Sequence, residues 1–449
     1  MRRRLMPAIA ATAVAALGLA WTGSAAQAAA PADELVALCE ELYGDTFGTP
    51  NTEPLGACQW DMALINAGTE SYAHATGAGV SVGVIDSGIQ ADHPDIAPNL
   101  DLARSCSFIT ADDPLAQEVE KADGDCSDKA ALVDLSGHGT HVASTIASPV
   151  NGVGIAGVAP EATIVALKAC NAAGYCFADS VTAALRYAGD QGIDVVNLSL
   201  FADPYLYYCK DDKSQKAILE EIASAARYAQ QHGVTIVASA GNESSDLQHP
   251  GIDDTSPDYP DGAAETREVM NNCVVAPAEL PETLTVSATG PIGYPDYDLW
   301  IADYSSVGMS RVDVTAPGGD YFRATGTVQD AILAATSSTG DIYAGYDALN
   351  PFYPGITTTD AGGVYVYLNG TSMSSPHAAG VAALVVEKHP GWSPKAVQAA
   401  VQRTATPLAC PSDWEPLNAA DERERCYGSG GRTSFFGHGL VDALAAATS

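Results

Sequence analysis

Short runs of valine, isoleucine and other apolar residues recur along the chain. Between some of them lie longer stretches in which apolar positions repeat at the helical period. The runs at 80–85, 163–168, 193–200, 234–239, 284–288 and 312–315 are mostly apolar throughout, not alternating, which suits strands buried on both faces. Helical spacing marks 179–191 and 214–232, and then 374–388 and 393–404. This alternation predicts an α/β fold, a doubly wound parallel sheet with helices on both faces. Ligands of such sheets bind outside the carboxyl ends of the strands. Asp86 and Asn242 each sit just past such an end. Two segments break the rhythm, 101–134 and 247–273. Both are long, polar, rich in Asp and carry cysteine, and they read as surface insertions stapled by disulfides.

Composition sets the compartment. The chain has 449 residues, 47% hydrophobic and 17% charged, enough to bury a sizeable core. Arg2, Arg3 and Arg4 precede an alanine-rich apolar run that ends at Ala26-Gln27-Ala28, the pattern of a secretory signal peptide cleaved after Ala28 or Ala30. Residues 1–28 are read as signal, 29–58 as a short N-terminal extension and 59–449 as one enzyme-sized domain. No later stretch is apolar for long enough to span a bilayer, so a secreted, extracellular, monomeric product is expected, with no membrane partner. The formal charge of −34 repels phosphate backbones and anionic lipid heads, which argues against nucleic acid and favours solubility. Ten cysteines in an exported chain argue for disulfides. Sequence does not fix their connectivity. Local clustering suggests Cys39–Cys58, Cys106–Cys126, Cys170–Cys176 and Cys410–Cys426, leaving Cys209–Cys273. A metal reading is weak, because there is no C-x-x-C pair.

Three segments carry the chemistry: Val84-Ile85-Asp86-Ser87-Gly88, Gly137-His138-Gly139-Thr140-His141, and Asn369-Gly370-Thr371-Ser372-Met373-Ser374-Ser375-Pro376-His377. A serine hydroxyl needs an adjacent base to become a nucleophile. Histidine is that base, and a buried carboxylate fixes its tautomer. Ser372 precedes Pro376 and an apolar run, so it is expected to open a buried helix with proline in the first turn. The helix dipole would then face a developing oxyanion. Other matches are decoys. Gly79-Val80-Ser81-Val82-Gly83 fits the G-x-S-x-G elbow but runs within a strand. His138 and His141 lack the glutamate of H-E-x-x-H. His377, His389 and His438 read as structural, and Asp92, Asp95 and Asp101 as loop carboxylates.

The three segments resemble the signature motifs of the subtilases, the subtilisin-like serine proteases. The order Asp, His, Ser is theirs too. The resemblance runs from about Gln59 to the end and includes Asn151-Gly152-Val153-Gly154-Ile155-Ala156-Gly157-Val158-Ala159-Pro160 and Asp194-Val195-Val196-Asn197-Leu198-Ser199-Leu200. It implies a subtilisin-like peptidase domain over 59–449 that hydrolyses peptide bonds of protein or peptide substrates through an acyl-enzyme. Ser372 would attack, His138 would shuttle the proton, Asp86 would orient it, and Asn242 would hold the oxyanion. Substrate would lie as an extended strand between Gly174-Tyr175-Cys176 and Ser199-Leu200-Phe201, with Ser239-Ala240-Gly241 walling the pocket before the scissile bond. No cofactor is implied for the chemistry. A structural calcium is implied, held by Asp95, Asn151 and the carbonyls of Pro149, Val153 and Ile155. Gly56 falls where the family has an amide ligand. Two departures stand out: Ser144 replaces a usual glycine, and so does Phe201, which predicts narrowed upstream specificity or a ring turned to the core. Residues 29–58 are too few for the folded pro-domain of many secreted subtilases. Two other classes remain, a non-catalytic binding protein and an esterase or lipase. The complete triad argues against the first and the missing nucleophile elbow against the second.

Overall fold

Strands that are apolar on both faces must be covered on both faces, and seven of them pair into one parallel sheet. They are β1 (Ser81–Asp86), β2 (Cys106–Ser107), β3 (Thr163–Lys168), β4 (Val195–Leu198), β5 (Thr235–Ser239), β6 (Thr283–Thr289) and β7 (Val314–Pro317). Their order is β7-β6-β5-β4-β1-β3-β2, with every pair parallel. The computed structural model describes residues 30–449 apart from 123, 261, 292–298, 413–424 and 430. The signal at 1–28 lies outside the described residues, as does residue 29 of the extension.

Alternation along each strand feeds two cores. Val82 and Val84 of β1 enter one, with Val237, Leu284 and Val286, while Ile85 enters the other with Ile236 and Ala238. Helices α2 (His138–Ala147), α5 (Thr371–Lys388) and α6 (Pro394–Thr404) cover the first face. Helices α3 (Ala178–Asp190) and α4 (Lys213–Gln231) cover the second. This is the expected doubly wound architecture. The sheet order reverses between β1 and β4, so the carboxyl ends of β1, β4 and β5 face one crevice.

Local expectations fared unevenly. The run at 193–200 gives only Val195–Leu198 as strand, because Ser199 leaves the sheet to bond with α5. Pro376 is not in a first turn: α5 begins at Thr371, and Pro376 is its sixth residue. Nor is the segment 101–134 wholly superficial, since Ser107, Phe108, Glu120 and Asp134 are buried. The five suggested disulfides are all present, with Cys106–Cys126 inside that segment and Cys209–Cys273 closing the other.

The N-terminal extension is stitched to the body. Ala30 and Pro31 pair in parallel with Thr358 and Thr359, at the edge of a second sheet that includes Gly363–Leu368 and Ile332–Ala335. The helix Ala32–Tyr43, α1, buries Leu35, Cys39 and Tyr43, and the Tyr43 hydroxyl donates to Asp330 at 2.8 Å. The Trp60 indole donates to the carbonyls of Gln329 and Ala331.

Candidate active site

Asp86 ends β1, buried, with its Oδ1 accepting the Ser87 N–H at 2.7 Å and facing His138 Nδ1 at 2.8 Å. A carboxylate in that place needs such partners to stay ionised. His138 is the first residue of α2. Gly137 precedes it with φ +98°, a left-handed turn in which a Cβ would also strike Thr336. The start of α2 is held by Asp134, whose carboxylate accepts the N–H groups of Gly137 and Thr140 and the Thr140 hydroxyl. Burial alone would lower the His138 pKa. The charge and hydrogen bond of Asp86, with the charge of Asp134, outweigh it and hold the imidazole above its usual value.

Ser372 comes to the same crevice on the second residue of α5, which packs against α2. Its hydroxyl donates to the Ser199 carbonyl at 3.3 Å. Among the described hydrogen bonds it has none to His138, and catalytic hydrogen bonds of this kind tighten when substrate arrives. Pro376 explains the local geometry. Having no N–H, it leaves the Ser372 carbonyl without its helical donor. The Ser199 hydroxyl fills that place at 2.8 Å, held in turn by Asn197 and Ser375.

Asn242 follows β5 and is fixed by its oxygen. Oδ1 accepts both the N–H and the hydroxyl of Thr371, at 2.9 and 2.8 Å, so the amide NH₂ is the end left to donate. The backbone N–H of Ser372, in the first turn of α5, is a second free donor among the described hydrogen bonds. Both nitrogens lie 3.6 Å from where a Cβ on Gly370 would stand. That arrangement suits a nascent oxyanion.

Motif order, buried pair and paired donors all point one way, and sequence comparison decides it. The sequence model of the Subtilase family matches residues 77–439. The chain belongs to the subtilase family. It is 30% identical over 387 residues to Subtilisin Savinase of Lederbergia lenta, covering 86% of this chain and 97% of that one. Among solved structures it resembles a lanthipeptide protease (TM-score 0.61, 22% identity, 94% of this chain and 99% of that one). It also resembles fervidolysin of Fervidobacterium pennivorans, a keratinolytic enzyme related to subtilisin (TM-score 0.58, 27% identity, 88% of this chain and 46% of that one). This subtilase is a subtilisin-like serine protease.

The two segments expected to flank substrate, 174–176 and 199–201, carry modifications. The N–H of Cys176 donates to the Asp203 carboxylate, and its carbonyl accepts the Asp203 N–H at 3.0 Å. That amide is therefore spent within the protein, and the edge presented by Gly174 and Tyr175 is shortened. Burial, and then the neighbouring Asp258, raise the Asp203 pKa well above the usual carboxylate range. Tyr175 stacks on Phe177, and Tyr259 of the segment 247–273 packs edge-on against both. Phe201 is half-buried and packs against the cluster of Leu206, Tyr207, Ala240, Leu247 and Val312. That cluster includes Ala240, of the stretch Ser239-Ala240-Gly241. Sequence reasoning missed Glu243, whose carboxylate lies 2.5 Å from where a Gly241 Cβ would stand. The signal was an acid immediately after Asn242. It also missed Asp203, Asp258 and Tyr259, which only the folded chain brings to the segment around Tyr175 and Cys176.

The loop that follows α2 gathers carboxylates. Asp95 Oδ2 accepts the Ile155 N–H at 3.1 Å and the Tyr365 hydroxyl at 2.9 Å, while its Oδ1 is buried without a partner among the described atoms. Glu53 accepts the N–H groups of Gly152 and Val153, and Asp360 that of Gly154. Asn151 Oδ1 accepts the Val153 N–H. The carbonyls of Pro149, Val153 and Ile155 accept none of the described hydrogen bonds. Gly56 lies beside Asn51, not in this ring. Of the decoys, His141 is buried between the Ile332 and Val366 carbonyls and its pKa is lowered to about 3 by burial, so it is neutral. His377 pairs with Asp61 at 2.9 Å beneath α5.

Proposed function

We propose that Ser372, His138 and Asp86 form the catalytic triad of this serine protease and that it cuts peptide bonds through an acyl-enzyme. The observation that carries the reading is the Asp86–His138 contact at 2.8 Å, with Asp86 buried at the carboxyl end of β1 opposite the helix that bears Ser372. His138 Nε2 takes the hydroxyl proton as Ser372 Oγ attacks the scissile carbonyl. The Asn242 amide and the Ser372 N–H receive the negative charge on the carbonyl oxygen. His138 then gives its proton to the departing amine, leaving an ester on Ser372. Water, deprotonated by the same imidazole, releases the acid and restores the serine. Asp86 stays ionised throughout and stabilises the imidazolium. A fluorophosphonate probe is expected to label wild type at Ser372 and to leave Ser372→Ala unlabelled and inactive. Labelling or turnover that survives the substitution overturns the assignment.

The protein is proposed to act outside the cell as a monomer, after removal of residues 1–28. Its disulfides support that setting. Among the described residues no helix is long and apolar enough to cross a membrane. N-terminal sequencing and sedimentation of the culture-medium protein test this together. A structural calcium is proposed at the loop after α2, because the orphaned Asp95 Oδ1 and the three uncommitted carbonyls form an oxygen-only donor set. Pro149, Asn151, Val153, Ile155 and Asp95 would hold it and so brace the turn that leaves α2. Chelation should lower the melting temperature of wild type but not that of Asp95→Asn. An unchanged wild-type melting temperature removes the ion from the reading.

A further inference from the structure

Beside the catalytic carboxylate lies a buried ion pair that the reaction does not use. Lys168 ends β3, directly paired in register with Asp86 on β1. Its side chain and that of Glu120 are both fully buried, with Nζ 2.9 Å from Glu120 Oε1. The ammonium donates to the Val133 carbonyl at 3.1 Å and to the Ser87 carbonyl, while Glu120 faces it as the counter-ion. The two carbonyls belong to the two segments that set the geometry of the site. The Ser87 N–H holds Asp86 Oδ1, and its hydroxyl donates to Asp134 while accepting the Gly139 N–H of α2. Val133 immediately precedes Asp134, the carboxylate that caps α2 and so aims His138.

Glu120 is delivered from outside the sheet. It belongs to the segment 101–134, within the span closed by Cys106–Cys126. Its other carboxylate oxygen accepts the Gln117 N–H at 2.8 Å, and its carbonyl accepts the Ser107 hydroxyl at 3.0 Å. A lysine ammonium taken wholly out of water requires a counter-ion. The acid-rich insertion supplies one where the site needs a fixed donor.

We infer that Lys168, held by Glu120 of the disulfide-closed insertion, is a positioning residue that locks the Ser87 and Val133 peptides and thereby the mutual aim of Asp86 and His138. The inference rests on the triad reading above. Its test separates positioning from mere support of the fold. Lys168→Met alone leaves Glu120 buried without a counter-ion, so the decisive variant is Lys168→Met/Glu120→Leu, in which no charge is stranded. Replacing a buried pair by apolar groups often leaves stability intact, so this variant is expected to melt near wild type. Its kcat on a peptide substrate is expected to fall about ten- to a hundredfold, the scale of a misplacement within an ångström, with KM within about twofold. Glu120→Gln keeps shape and an acceptor but not charge, and should move kcat the same way by less. Wild-type kcat in the double variant overturns the inference. Should the double variant not accumulate, wild-type kcat in Glu120→Gln does so. Fluorophosphonate titration of wild type is run alongside: no labelling there refutes the triad, whereas full labelling with unchanged variants refutes only the role of Lys168.

Discussion

Replacing Ser199 by alanine removes one hydroxyl, and the structure says what that should cost and how to isolate it. The Ser199 Oγ donates to the Ser372 carbonyl at 2.8 Å, in the place where the N–H of residue 376 would stand had it not been proline. Without it a carbonyl in the first turn of α5, walled in by buried neighbours, has no donor. Leaving such an acceptor unmade costs about 1–3 kcal/mol. Asn197 Nδ2 and Ser375 Oγ also lose contacts, so Ser199→Ala by itself does not apportion the loss. Pro376→Ala does. It restores an N–H four residues after Ser372, which can bond the carbonyl in ordinary helical fashion. Ser199→Ala should therefore destabilise the protein that keeps Pro376 by about 1–3 kcal/mol, and the Pro376→Ala variant by less than half of that. The assay is urea unfolding in a Ser372→Ala background, which prevents autolysis and keeps the carbonyl in question. The midpoint should fall with the slope unchanged. If the two substitutions are additive, the exchange of donors between Ser199 and position 376 is wrong.

Three further outcomes are expected. Asn242→Ala should lower kcat about 10²–10³-fold, or about 2.7–4 kcal/mol, the loss known for the corresponding donor of subtilisin, with KM little changed. In pH profiles of kcat/KM the acid limb should lie above the ordinary histidine value, because Asp86 raises His138 and only the neutral imidazole accepts the proton. In Asp86→Asn that limb should move to lower pH while kcat falls on the order of 10⁴-fold, and an unmoved limb would sever the Asp86–His138 link. Phe201→Gly, profiled on a peptide library, should accept bulkier residues before the scissile bond by about 1–3 kcal/mol per methylene of space gained. Coincident profiles would show that Phe201 has no part in selection.

What could be read from the sequence was what one stretch of chain decides for itself. Val82, Val84 and Ile85 announce a strand covered on both sides, and its end places Asp86 at the crevice. The apolar run after Ser372 announces a helix, whereas the helix that opens at His138 was not foreseen. The rest depended on meetings across the fold. Pro376 looks like a helix-opening proline until Thr371 is seen to be the first residue of α5 and Ser199 to supply the missing donor. Glu120 sits among acids that read as a solvated face, and nothing local says that it meets Lys168, far along the chain. Phe201 posed a question of direction, and only the folded chain brings it against the cluster that contains Ala240. Residues 29–58 read as a short N-terminal extension, and only the folded chain shows Leu35 and Tyr43 buried in its packing.

Helix α5 is enclosed on every side. From Met373 to Val385 every residue is buried, and Gly380 lies so close to Val158 that even a Cβ there would collide. Close-packed interiors deform little, so Ser372, the proposed nucleophile, rides on a part of the molecule that has almost no room for change. The surrounding edge is of another kind: Gly174, Phe201, Glu243 and Tyr259 are carried on loops with solvent on at least one side. Heritable variation in what this enzyme cuts would then accumulate around the crevice and not beneath it. A laboratory library meant to retarget it should leave α5 untouched and place its diversity on those four positions.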